Sequence, residues 1–90
     1  MNKTVNINLA GIIFHLDEVA YEAFKIYLQL IKDALLDQEG GSEIVADIEA
    51  RIAELFTEKL TARGTEVVTQ EDVDSVIATL GRPEDFAQED

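Results

Sequence analysis

The chain has no cysteine, so neither a disulfide nor a thiolate metal site is available to it. Histidine occurs once, at His15, and a single imidazole without cysteine or further histidines does not build a zinc site. Basic residues are scarce, with seven Lys and Arg against nineteen Asp and Glu, a formal charge of −12. Such a field repels nucleic-acid phosphates and anionic lipid head groups, which disfavours direct nucleic-acid binding. Any charged partner is expected to be basic. No run of about 18 uncharged apolar residues exists, so no membrane span is expected within the ninety residues. The opening MNKTVNINLAGIIFHLDE is too short and too interrupted in its apolar run for a signal peptide. Internal repeats and low-complexity tracts are also missing.

What is present is enough for one core. Hydrophobic residues make up 47% of the chain, which argues against intrinsic disorder despite the charge. Ninety residues suit one domain, and a chain this size buries roughly 60–65% of its extended surface. Residues 1–87 are read as a single α+β interaction domain, and residues 88–90 as the start of a polar linker. The organising stretch is SEIVADIEARIAELFTEKLTAR, residues 42–63. Ile44, Val45, Ile48, Ile52, Leu55, Phe56 and Leu60 return to one side of a 3.6-residue helix. Glu43, Asp47, Glu54 and Glu58, at steps of four and seven, form a carboxylate row on another side. Asp47 and Arg51, four apart, have the order of a favourable helical ion pair.

Upstream, Val5, Ile7 and Leu9 alternate with Asn6 and Asn8, the period of a half-buried strand. Ala10-Gly11 supplies a two-residue turn. That register pairs Leu9 with Ile12, Ile7 with Phe14 and Val5 with Leu16 on one face, leaving Asn6 opposite His15 on the other. Asp17 is an N-cap, with Leu16 and Tyr21 at the spacing of a hydrophobic staple. The first helix is expected from Glu18 to Leu36. Its core stripe is built from Val19, Ala20, Ala23, Phe24, Tyr27, Leu28, Ile31, Ala34 and Leu35. Ile26, Leu30 and Leu36 widen that stripe beyond what one neighbour covers. Gly40-Gly41 ends the connection, Ser42 caps the second helix, and Gly64 stops it with Arg63 beside the negative helix end. Thr65–Thr69 reads as a third strand. Thr69 and Asp72 approximate a capping box for a third helix over Gln70–Leu80. Pro83 starts one more turn that brings Phe86 in as a last apolar anchor.

Candidate chemistry is thin. His15 falls on the outer face of the hairpin with no catalytic partner in view. Asp72-x-Asp74 opens like a calcium loop but lacks the central glycine and the bidentate twelfth-position glutamate. Gly40-Gly41 has neither the spacing of a phosphate loop nor a nearby basic residue. The hydroxyls of Ser42, Thr69 and Ser75 stand beside no base in a recognisable motif. No cofactor, metal site or enzymatic activity is expected. The acidic row is different. Like charges four apart cost roughly 0.2–0.5 kcal/mol per pair on an isolated helix, so several of them together suit either solubility or docking of a basic partner.

Three blocks, TVNINLAGIIFHLDEVAYEAFKIYL, EGGSEIVADIEARIAELFTEKL and VVTQEDVDSVIATLGRPEDF, carry a family likeness. Together they resemble the soluble N-terminal region of phage-shock-protein C (PspC)-related membrane proteins of the Bacteroidetes, over essentially the whole chain. The second half, through the DIE-containing helix to LG-x-P, is also similar to HAAS-type signalling domains. The resemblance implies a stress-responsive regulatory protein in which this domain lies on the cytoplasmic side of the inner membrane. The membrane tether would be a downstream segment outside the ninety residues. It implies no ligand residues.

The fold expected is therefore α+β: an N-terminal β-hairpin plus a short third strand, packed by two long helices and one short C-terminal helix. The function expected is a non-catalytic regulatory protein-interaction module, or alternatively a homo-oligomerisation domain. The docking candidates are Glu43, Asp47, Glu54 and Glu58, with the Ile26 and Leu30 strip as a second contact surface.

Overall fold

The computed structural model describes residues 3–81. Strand β1 (Thr4–Leu9) and strand β2 (Ile12–Asp17) pair antiparallel in the register read from the alternation, with Leu9 opposite Ile12, Ile7 opposite Phe14 and Val5 opposite Leu16. Ala10 and Gly11 both take positive φ, 53° and 86°. That pair of angles gives the hairpin turn whose twist matches the flanking strands. Asn8 Oδ1 accepts the Gly11 N–H at 3.0 Å, which fixes the turn further.

Helix α1 (Glu18–Leu35) starts where Asp17 accepts the Ala20 N–H at 2.7 Å. It ends one residue before the expected Leu36, which instead serves as the C-cap and donates its N–H to the Lys32 carbonyl. Helix α2 (Gly41–Arg63) follows, then the two-residue strand β3 (Val67–Val68) and helix α3 (Gln70–Leu80). β3 is shorter than the expected Thr65–Thr69 and pairs parallel with β2, His15 opposite Val67 and Leu16 opposite Val68. The sheet order is β1-β2-β3. Both long helices therefore lie in the crossover between the two parallel strands, since a parallel pair cannot be joined by a tight turn.

The core is where the three layers meet. Phe56 of α2 packs edge-on to Phe14 of β2, with centroids 5.6 Å apart, and tilted against Phe24 of α1 at 5.5 Å. Around this trio Leu9, Leu16, Ile31, Leu35, Ile52, Val68, Val73 and Val76 are fully enclosed. Aromatic pairs in such edge or tilted arrangements add about 0.5–1.5 kcal/mol to what their burial supplies.

Several sequence expectations need correction. Ser42 does not cap α2. The N-cap is Gly40 in the left-handed region (φ 77°), and Ser42 is exposed within the first turn. The reason lies at Gly41, whose missing Cβ would fall 1.7 Å from the Leu35 carbonyl oxygen. The two glycines thus let α2 begin directly against the end of α1. Val19 of the expected α1 stripe and Ile44 of the expected α2 stripe are exposed, because no element covers those flanks among the described residues. Ile12 lies on the expected face but at the hairpin tip, where it stays half open. The Asp47–Arg51 pair does not form; Arg51 turns the other way and meets Glu54 at 3.0 Å. The turn at Pro83, the Phe86 anchor and the linker at 88–90 lie outside the described residues.

Candidate functional site

Glu43, Asp47, Glu54 and Glu58 all reach solvent from α2, as their spacing requires. The first and last are fifteen residues apart, so the row extends about 22 Å along the helix. Among the described residues, Arg51 is the one cation paired with it, through Glu54. Charge on this side is therefore left almost unbalanced. Glu54 and Glu58 also border a shallow groove of about 390 Å³ between α2 and the hairpin tip. Its floor is apolar, formed by Ala10 and Ile12 from the hairpin and by Ala50 and Ala53 from α2, with Thr57 at one side. Glu43 and Asp47 continue the row beyond the groove. The structure thus joins half of the acidic row to an apolar strip, a connection that helix spacing alone did not reveal. The signal that carried it was the hairpin register, which places Ile12 at the open end of the inward face.

The Ile26 and Leu30 strip is exposed as well, and it includes Val19. Steps of seven and four put the three on one side of α1, where they form an apolar ridge. A second shallow groove, of about 230 Å³, lies against Ile26 and Leu30 beside Lys25 and Gln29.

His15, Asp72 and Arg63 are engaged structurally. His15 Nδ1 lies 2.5 Å from Asn6 Oδ1, the cross-strand neighbour given by the register. Asp72, the buried carboxylate among the described residues, accepts the Thr69 N–H at 3.0 Å as a helix cap. It also accepts from Arg63 Nη2, which in turn donates to the Val67 carbonyl at 3.2 Å. Sequence reading assigned Asp72 to a cap and Arg63 to the end of α2, and missed that the two meet. Asp74 is exposed and takes no part. No group of three or more His, Asp or Glu placed to hold a metal ion occurs among the described residues. Among them, too, no helix is long and apolar enough to cross a membrane.

No family model, curated protein or solved structure matches the chain. The functional reading therefore rests on the surfaces themselves.

Proposed function

We propose that this domain is a non-catalytic regulatory module that docks a basic protein partner along α2. The observation that carries the reading is the exposed row of Glu43, Asp47, Glu54 and Glu58, joined at Glu54 and Glu58 to an apolar groove. An amphipathic segment with cationic residues on one side and apolar residues on the other would satisfy both features. Apolar contact would supply affinity, and the carboxylates would supply orientation and rate of encounter. The likeness to PspC-related proteins supports a setting at the cytoplasmic side of the inner membrane, within a longer stress-response regulator. The test is to replace all four carboxylates with Lys and compare retention of a basic partner from native-cell extract, with circular dichroism checking the fold. Retention should be lost while the spectrum is unchanged. Undiminished retention by the fourfold variant would remove charge docking from consideration.

A second reading, homo-oligomerisation, is favoured by the Val19, Ile26 and Leu30 ridge. Its spacing suits helix-against-helix packing, and α1 carries both Lys25 and Lys32 among its acids, so like-charge repulsion is weakest there. Light scattering across a concentration series tests it. A constant monomer mass counts against self-association, and a mass that rises with concentration but not in Leu30→Lys supports it.

A further inference from the structure

The unpartnered side of the sheet carries a feature of opposite charge. β1 is an edge strand. With a two-residue turn, Leu9 and Ile12 flanking it are a hydrogen-bonded pair, and so are Ile7–Phe14 and Val5–Leu16. The backbone N–H and C=O groups of Thr4, Asn6 and Asn8 consequently point away from β2, along the free edge. The same logic aims His15 of β2 at β3, where it does pair with Val67. An open strand edge is a template for another strand, and proteins usually guard it with charge, proline or a bulge. TVNINL contains neither charge nor proline, and its register with β2 runs unbroken.

Beside this edge lies a groove of about 170 Å³ between β1 and α1. Ile7 and Leu9 form one side of it, and Tyr21, Phe24 and Leu28 form the other. Two of the chain's seven basic residues, Lys25 and Lys32, stand on its α1 wall. Lys25 Nζ lies 5.7 Å from the Tyr21 ring centroid. Lys32 Nζ is 3.9 Å from Glu49, a long separation for an ion pair, and it is partly exposed. In a chain of formal charge −12, this is a place where cations meet an apolar slot and backbone that is unpaired among the described residues.

We propose that the β1 edge, with the Lys25 and Lys32 groove beside it, accepts an extended acidic segment of a partner protein as an added strand. Backbone pairing to Thr4, Asn6 and Asn8 would hold the segment. Alternate side chains pointing inward would enter the slot over Tyr21 and Leu28, and carboxylates near the rim would meet the two lysines. A second copy of this domain is a poor occupant of the same edge. Antiparallel pairing of two β1 strands would draw Lys25 and Lys32 of both molecules together, and Thr4–Leu9 contains no carboxylate to meet them. This site is separate from the acidic row of α2, and it selects the opposite charge.

The experiment uses a blocked eight-residue valine–glutamate peptide with threonine at every second position, so that two valines and the glutamates flanking them share the face turned to α1, and its control carries lysine in place of glutamate. Binding is read by fluorescence polarisation and by amide hydrogen exchange. The valine–glutamate peptide should slow exchange at the Asn6 and Asn8 amides and leave Ile7 and Leu9, already bonded to β2, unchanged. Asn6→Pro removes an outward N–H and no ladder bond, and it should weaken binding by tenfold or more, roughly the loss of one or two edge contacts. Should that variant fold poorly, a peptide N-methylated at alternate residues makes the same test from the other side. Lys25→Glu with Lys32→Glu should also cost about tenfold. The fourfold Lys variant of α2 should bind no less tightly, which keeps this result distinct from the basic-partner reading. Equal protection of Asn6 and Asn8 by the lysine peptide, or exchange protection confined to α1 and α2, overturns the proposal, whereas lysine-peptide binding at α2 belongs to the basic-partner reading. So does protection at Asn6 and Asn8 that appears without peptide as the mass doubles, since the occupant would then be a second copy.

Discussion

The guanidinium of Arg63, at the end of α2, hydrogen-bonds the carboxylate of Asp72, in the first turn of α3. The pair closes the turn made by Gly64 and brings three backbone segments to one point. Arg63 also holds the Val67 carbonyl, and Asp72 also holds the Thr69 N–H. A two-residue strand has few ladder bonds of its own. To that pairing and the burial of Val68, this side adds a cation and an anion nine residues apart.

Asp72→Ala should lose both the cap and the Arg63 contact, destabilising the domain by about 1–3 kcal/mol in chemical denaturation. Arg63→Ala should cost a similar roughly 1–3 kcal/mol, because it leaves Asp72 buried with one partner fewer, although Arg63 itself is partly exposed. The two losses should not add. A double-mutant cycle is expected to return a coupling of about 0.5–2 kcal/mol, and strict additivity would mean that the contact contributes nothing.

Phe56→Ala should be the most damaging of the simple truncations. The ring is fully buried and touches both Phe14 and Phe24. The expected loss is about 3–5 kcal/mol, enough to unfold much of a small domain at room temperature. Circular dichroism during a urea titration would show it directly.

Gly41→Ala and Gly11→Ala separate two reasons for a glycine. The first places a Cβ 1.7 Å from a backbone oxygen, which cannot move without displacing the end of α1. The second meets open space and pays only for its φ of 86°, about 1 kcal/mol. Thermal unfolding should therefore fall much further for Gly41→Ala than for Gly11→Ala. Equal shifts would mean that the α1–α2 connection relaxes easily.

Tyr27→Phe removes the hydroxyl that donates to the Gly81 carbonyl at 2.6 Å and ties the end of α3 to the middle of α1. The expected cost is about 1 kcal/mol. Hydrogen exchange in the last turn of α3 should accelerate more than exchange in α2.

The hairpin was legible in the sequence because two independent constraints agreed there. The alternation of Val5, Ile7 and Leu9 and the Ala10-Gly11 turn admit one common register, and that register is observed. The Asp17 cap and the Asp72 contact to the Thr69 N–H were legible for a related reason, since each is completed within three residues. Longer-range facts were not. Periodicity says that Val19 and Ile44 lie near the apolar side of their helices, but not which flank a neighbour reaches, and both are exposed. Gly41 looked like half of a loop because its close approach is to Leu35, in another element. For Arg51, the four-residue spacing pointed to Asp47, whereas the observed partner is Glu54, three residues on. The acidic row itself followed from spacing. The groove that adjoins it did not, because it belongs half to the hairpin.

The parallel pairing of β2 with β3 has a consequence for the order in which the chain becomes a structure. His15 and Val67 are fifty-two residues apart, and both long helices lie between them. During synthesis the hairpin is complete long before its inner strand finds its second neighbour. Closing a loop of that length costs more entropy than closing the hairpin, so the pairing is expected late. Until Val67 and Val68 emerge, β2 has an open edge of its own, flanked by Ile13 and His15. The nascent hairpin therefore exposes both of its strand edges until β3 covers part of the inner one, and folding of α1 and α2 sets how long that interval lasts.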